Sequence, residues 1–270
     1  MPARRSVVVL TLVLLGAIGL LPAAAQPPVI DPVAPVRSYE VVAEHPHDAS
    51  AFTQGLIFSD GRLYEGTGLY GSSELRLVDL ESGNVLESHA LDQQYFGEGI
   101  TILGDRIYQI TWRSGVAFVY DLASFEQVGM FSYQTDGWGL TTDGVSLIMS
   151  DGSDQLFFRD PDTFEVIRQL SVHDGNEPIV YLNELEYIDG VIWANVWQTS
   201  YVARIDPETG RVIDWLDLSA LTQRAAELDG GIDVLNGIAW NPETETVLVT
   251  GKRWPVLFEI RLAGEDENSI

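Results

Sequence analysis

The chain has 270 residues, 46% of them hydrophobic and 10% aromatic, and sets 15 Lys and Arg against 40 Asp and Glu for a formal net charge of −25. So much apolar material supports a sizeable core and is not a disordered composition; the length suits one large all-β or α/β domain, or two small ones. The acidic balance repels phosphate backbones and anionic lipid headgroups, so neither nucleic acid nor a membrane surface is an expected partner, and the absence of cysteine removes disulfides, thiol nucleophiles, Cys-ligated zinc and iron–sulfur clusters together.

In chain order, Arg4 and Arg5 precede an uncharged apolar run over residues 7–21 that ends in Pro22-Ala23-Ala24-Ala25. A basic start, a 15-residue apolar stretch and a small-x-small end predict a secretory signal over residues 1–25, with Gln26 as the new N-terminus and a periplasmic or secreted destination. The run is short for a permanent span, so no stable membrane association is expected after cleavage. Pro27, Pro28, Pro32 and Pro35 make residues 26–37 an extended leader, and residues 38–270 are read as one folded domain.

From Ser38 onward helical periodicity is confined to a stretch near residues 220–228. The rest consists of short apolar or alternating runs broken by Asp-Gly, Ser-Gly and Pro-x-Thr turns, an all-β signature. One motif recurs: a polar or aromatic residue, then a small or acidic one, then Leu or Ile. It appears as Gln54-Gly55-Leu56, Glu98-Gly99-Ile100, Trp138-Gly139-Leu140, Asn183-Glu184-Leu185 and Asn236-Gly237-Ile238, at spacings of 44, 40, 45 and 53 residues. Each copy is followed by a turn and a second strand, and then by a third strand at 75–79, 117–121, 156–160, 202–206 and 257–261. The first four of these end in Asp79, Asp121, Asp160 and Asp206. A fourth strand follows in four units, near Val85, Val128, Val166 and Val212; the fifth unit lacks one, while a lone strand over residues 38–43 has no local partner. Four strands at this period predict a five-bladed β-propeller whose ring is closed by the N-terminal strand.

In such a ring the first strand of each blade lines the central channel, so Gln54, Glu98, Trp138, Asn183 and Asn236 converge. Their chemical diversity suits a binding pocket, although repeats also diverge without purpose. The second-strand ends add Trp112, Trp197 and Lys252, the only lysine in the chain. A compact, titratable ammonium can fill roles that a guanidinium cannot. His45 and His47, either side of Pro46, read as a strand exit and not as metal ligands, and Asp151-Gly152-Ser153-Asp154 reads as a hairpin turn rather than a calcium loop. Trp112 is also compatible with inter-blade core.

At these positions the sequence resembles the bacterial and plant-type glutamine cyclotransferase family. The resemblance is carried by Phe52-Thr53-Gln54-Gly55-Leu56, Tyr64-Glu65-Gly66-Thr67-Gly68-Leu69-Tyr70-Gly71, Phe96-Gly97-Glu98-Gly99-Ile100 and Gly137-Trp138-Gly139-Leu140. It continues through Leu182-Asn183-Glu184-Leu185-Glu186, Ile192-Trp193-Ala194-Asn195-Val196-Trp197, Leu235-Asn236-Gly237-Ile238-Ala239 and Gly251-Lys252-Arg253-Trp254-Pro255. It implies a five-bladed propeller that cyclises the N-terminal glutamine of peptides and proteins to pyroglutamate with release of ammonia; separately, no cofactor or metal and a monomer are expected. It also implies that Glu98 is the acid/base and Lys252 a catalytic residue, that Asn183 holds the substrate, and that Phe52, Gln54, Phe96, Trp138 and Trp197 shape the pocket. Trp112 and Asn236 join that pocket on repeat position alone. The competing readings are a non-catalytic binding or scaffold propeller and a metal-dependent propeller hydrolase or lactonase.

Overall fold

A computed structural model describes residues 28–263. The predicted signal and Gln26 lie outside the described residues. Five blades are arranged around one axis, each with four antiparallel strands running from an inner first strand to a fourth on the outside. Blade 1 is built from Thr53–Ser59, Arg62–Thr67, Glu74–Val78 and Val85–Ala90; blade 2 from Gly97–Leu103, Arg106–Thr111, Val116–Asp121 and Gln127–Ser132. Blade 3 comprises Leu140–Thr142, Leu147–Ser150, Gln155–Arg159 and Val166–Ser171; blade 4 comprises Leu182–Ile188, Val191–Val196, Tyr201–Ile205 and Val212–Asp217. Blade 5 takes Leu235–Asn241, Thr246–Gly251 and Val256–Leu262 from the C-terminal part, and its outer strand is Tyr39–Pro46, antiparallel to Val256–Leu262. The first strands touch in sequence around the ring, with blade 5 meeting blade 1, so the ring is closed.

The recurring aspartates have a local cause. At the end of each of the first four third strands an aspartate Oδ1 accepts backbone N–H groups two or three residues on: Asp79 from Ser82, Asp121 from Ser124, Asp160 from Asp162 and Thr163, Asp206 from Glu208 and Thr209. These turns reverse the chain into the outer strand. The fifth unit needs no such turn, because its outer strand arrives from the other end of the chain.

The recurring inner motif is a β-bulge. In blade 2, Gly97 pairs with Thr111 and Ile100 with Gln109, so Glu98 and Gly99 oppose one residue; Asn183-Glu184 and Asn236-Gly237 do the same in blades 4 and 5, and Gln54 is the extra residue in blade 1. A bulge re-aims the side chain it carries. Its second residue faces the neighbouring inner strand at close range. A Cβ on Gly55 would lie 2.5 Å from Ile100 N, one on Gly99 2.5 Å from Leu140 N, and one on Gly139 1.9 Å from Asn183 O. Blade 4 alone carries a large residue there. Glu184 is fully buried, and its carboxylate crosses the axis to accept Leu56 N of blade 1 at 3.2 Å and Ile238 N of blade 5 at 2.9 Å.

Apolar cores lie between blades, two large ones centred on Ile148, Leu182, Ala203 and Trp215 and on Trp193, Leu216, Ile238 and Phe258. The helix expected near residues 220–228 spans Ser219–Leu228 and buries Leu221 and Ala225 against the blade 4–5 core. The leader is more engaged than its composition suggests. Val36–Arg37 adds a parallel fifth strand to blade 4, and Asp174 accepts Val33 N, Ala34 N and Trp215 Nε1. Among the described residues no helix is long and apolar enough to cross a membrane.

Glu184→Ala leaves two buried N–H groups without acceptors. A loss of about 2–5 kcal/mol in urea unfolding is expected; a change within about 0.5 kcal/mol, the scale of a surface substitution, would mean that the carboxylate does not hold the inner strands.

Candidate active site

At one mouth of the channel a cavity of about 280 Å³ is lined by Phe52, Gln54, Leu69, Phe96, Glu98, Trp112, Trp138, Asn183, Trp197, Asp233 and Lys252. Nine of the ten side chains expected from the sequence meet there. The bulges supply Gln54, Glu98 and Asn183; Trp138 precedes the first strand of blade 3; Trp112, Trp197 and Lys252 sit just past the second strands of blades 2, 4 and 5.

The tenth, Asn236, does not line the cavity. It is fully buried, and its Nδ2 donates to Thr53 O at 3.0 Å and to Gln54 Oε1 at 3.3 Å, so it orients Gln54 from blade 5. Leu69 and Asp233 line the cavity without having been expected. Both belong to loops outside the repeat: Leu69 lies between the second and third strands of blade 1, with φ 87°, and Asp233 lies ahead of the first strand of blade 5. The left-handed backbone of Leu69 is uncommon for a residue with a Cβ and costs energy that the surrounding packing must offset.

The walls are aromatic and interlocked edge to face. Phe96 meets Phe52, Tyr70 and Trp112 at centroid distances of 6.2, 5.4 and 5.6 Å, and Trp138 meets Trp197 at 5.5 Å. Trp112 is thus a wall of the cavity as well as part of the packing around Phe96. Two backbones make room for these rings. A Cβ on Gly68 would lie 2.4 Å from Phe96, and one on Gly152, at φ 82°, would lie 2.6 Å from Trp138. The Asp151–Asp154 segment holding Gly152 is a hairpin turn, closed by Asp151 Oδ1 accepting Ser153 N at 3.0 Å. Trp138 Nε1 and Asn183 Oδ1 are buried without a hydrogen-bond partner.

Two opposite charges are enclosed in this apolar shell. Glu98 and Lys252 each retain 5% of their surface. Burial pushes the Glu98 carboxyl well above the usual carboxylate range; the Lys252 ammonium draws it back, and Asp136 pushes it further up. Burial lowers Lys252 below the ordinary lysine value, with Glu98 and Asp233 opposing that shift. The Lys252 Nζ lies 4.9 Å from the centre of the Phe52 ring, a cation–π contact. Its backbone is fixed by Lys252 N to Val234 O at 2.9 Å and Asp233 N to Lys252 O at 2.8 Å. Among the described residues no group of three or more His, Asp and Glu side chains is placed to hold a metal ion.

An enclosed carboxyl tuned toward neutrality, beside an ammonium and an amide, can move a proton and stabilise a developing oxyanion on a small polar ligand whose aliphatic part is gripped by rings.

A family model described as glutamine cyclotransferase matches residues 12–262. A glutaminyl-peptide cyclotransferase of Arabidopsis thaliana is 46% identical over 230 residues, which are 84% of this chain and 72% of that protein. The crystal structure of the Myxococcus xanthus glutaminyl cyclase covers 86% of this chain and 100% of its own at 39% identity, with a TM-score of 0.80.

The electrostatic reading is testable by carbon-detected NMR of the glutamate carboxyls, with Glu98→Gln giving the assignment. The Glu98 carboxyl titrates well above the ordinary value of about 4.3. Lys252→Met removes the one cation that lowers it and moves the titration higher still. A downward or absent shift in that variant would contradict the coupling.

Proposed function

The chain belongs to the glutamine cyclotransferase family, and we propose that it cyclises the N-terminal glutamine of peptides and proteins to pyroglutamate, releasing ammonia, with Glu98 as the proton carrier. The observation that carries this reading is one cavity lined by Glu98, Lys252 and Asn183 together with walls of Phe and Trp.

The substrate brings its own nucleophile. Its α-amine attacks its own γ-carboxamide carbon, a new C–N bond closes a five-membered lactam, and the original C–N bond breaks to release NH3. Because the encounter is intramolecular, the site's work is to hold the folded-back conformer, exclude water and move one proton. The α-amine, with an ordinary pKa of about 7.7–8.0, must be unprotonated to attack. Glu98, as carboxylate, takes a proton from the attacking nitrogen and returns it to the departing one. A carboxyl raised above its ordinary range suits both transfers better than one near 4.3, since a stronger base takes the first proton more readily while its conjugate acid can still return it. The γ-carbonyl oxygen gains negative charge in the tetrahedral intermediate, and the Lys252 ammonium and the Asn183 side-chain amide are its stabilising partners. Phe52, Phe96, Trp112, Trp138 and Trp197 enclose the methylenes, and Gln54, held by Asn236, offers an amide to the polar end of the substrate.

Residues 1–25 direct export in this reading, so the substrates are peptides and proteins of the periplasm or exterior, and the mature chain works as a monomer.

Ammonia release from a Gln-initiated dipeptide tests the proposal. Wild-type release is expected to be unaffected by EDTA. Glu98→Gln lowers kcat by about 10²–10⁴-fold, the range for loss of a general acid/base. After allowance for ionisation of the substrate α-amine, the acidic limb of wild-type kcat/KM retains a fall set well above the ordinary glutamate range, because activity falls as Glu98 takes up its proton. Absence of release from any Gln-initiated peptide would remove the cyclotransferase reading in favour of a binding propeller, and abolition by chelator would favour a metal-dependent enzyme.

A further inference from the structure

We infer that His47 is a positioning residue for this reaction: an imidazolium, protonated on both nitrogens, that clamps the turn carrying Lys252 onto the segment carrying Phe52 and Gln54. The inference rests on the cyclotransferase reading of Lys252.

The protonation state follows from the partners. The His47 side chain is 2% exposed. Its Nδ1 lies 2.7 Å from Trp254 O, and its Nε2 lies 3.1 Å from Glu65 Oε1. A backbone carbonyl only accepts. Glu65 Oε1 also accepts the Thr53 hydroxyl at 2.7 Å, and Glu65 Oε2 lies 3.8 Å from Arg76 NH1, so this carboxyl is ionised and likewise only accepts. Thr250 Oγ1, 3.5 Å from Nδ1, spends its proton on Val256 O at 2.9 Å. Neutral imidazole has one N–H and would turn a lone pair toward an oxygen on one side; only the imidazolium satisfies both contacts. The charged groups around it are Glu65, Asp48 and Arg76, with Arg76 shared among Glu65, Asp48 and Glu74. Burial works against the imidazolium, but the charge and hydrogen bond of Glu65 outweigh it and raise the pKa of His47, while Glu65 itself is held below its ordinary range despite burial.

What the clamp holds is the Lys252 turn. Trp254 N closes the turn onto Gly251 O at 3.1 Å, with Arg253 in the left-handed region at φ 61°. That conformation is unfavourable for arginine, so the turn depends on outside ties. There are three. Arg253 N donates to Ala51 O at 2.7 Å, Trp254 Nε1 donates to Asp233 O at 2.9 Å, and His47 takes the Trp254 carbonyl. The same Glu65 that fixes His47 fixes Thr53, the residue between Phe52 and Gln54. One buried cation therefore sets the spacing between the ammonium and two walls of the cavity. Because the folded-state pKa is raised, the clamp is complete below the ordinary histidine value of about 6.5 and is lost as pH rises through the higher folded value.

The test combines ring ¹⁵N–¹H NMR of the whole enzyme with kinetics of His47→Asn, His47→Gln and His47→Leu. At pH 7 the wild type shows two protonated ring nitrogens for His47, assigned by their loss in His47→Gln. Among variants that stay folded, kcat for a Gln-initiated dipeptide falls about 10–100-fold, as expected when a catalytic group is displaced by an ångström or so, with KM little changed. His47→Asn, which can still donate to the Trp254 carbonyl, keeps more activity than His47→Leu. A neutral His47 ring at pH 7, or a folded variant whose kcat equals that of wild type while only its Tm falls, overturns the inference. Wild type that turns over no Gln-initiated peptide overturns the cyclotransferase reading itself, and the NMR result then judges the charged clamp separately.

Discussion

Five inner strands packed around one axis leave almost no room, and that crowding decides which residues can stand where. Blades 1, 2 and 3 answer it with a bulge or a break that sets a glycine against the neighbouring strand, and the side chain before that glycine, Gln54, Glu98 or Trp138, reaches the channel mouth. The pocket is thus in part a by-product of how the ring closes: at these three approaches the preceding residue is free to carry chemistry, whereas Asn236 of blade 5 is spent on Thr53 and Gln54. Blade 4 departs from the rule. Its Glu184 carboxyl group reaches across the axis to blades 1 and 5, and so ties Asn183 to the strands that carry Gln54 and Asn236. Stability and site geometry share the same few hydrogen bonds.

The second consequence is electrostatic. A site walled by Phe and Trp at the end of a closed ring strips water from Glu98 and Lys252 together. Each is pushed toward its neutral form by burial and held back by the other. Burial thus moves each group away from its ordinary pKa, Glu98 upward and Lys252 downward, a perturbation that marks functional sites more often than structural ion pairs. The reaction asks for little else, since the substrate supplies both nucleophile and electrophile. Farther from the axis, the buried His47–Glu65 pair is the opposite case: both partners are stabilised in their charged forms by facing groups, which suits a fixed clamp.

Much of this was legible in the sequence because the repeating devices leave local signatures. The aspartates ending four third strands cap their own turns, and the bulges write a polar-small-apolar triplet, so blade number and order could be read from spacing, and the fifth unit's missing strand pointed to a closing strand over residues 38–43, found as Tyr39–Pro46. Seven pocket residues followed because they occupy equivalent places in the repeat, and Phe52 and Phe96 because of the family resemblance. What escaped is what depends on distant partners. Val36–Arg37 carries no strand signature and is a strand only because blade 4 offers an edge and Asp174 holds Val33 and Ala34. Asn236 occupies a pocket position in the repeat, yet a neighbour's amide claims its side chain. Leu69 and Asp233 sit on loops whose course no periodicity describes. Glu184 was visible as the acidic variant of the triplet, but its reach across the axis is a property of the closed ring alone.

The most direct measurement is a crystal structure of Glu98→Gln with a Gln-initiated dipeptide bound. The account predicts the glutamine folded back inside the aromatic walls, with its γ-carbonyl oxygen toward Lys252 and Asn183 and its amine and amide nitrogens both toward residue 98. A peptide whose glutamine lies outside the cavity, or whose γ-carbonyl oxygen faces residue 98 and away from Lys252, would contradict it.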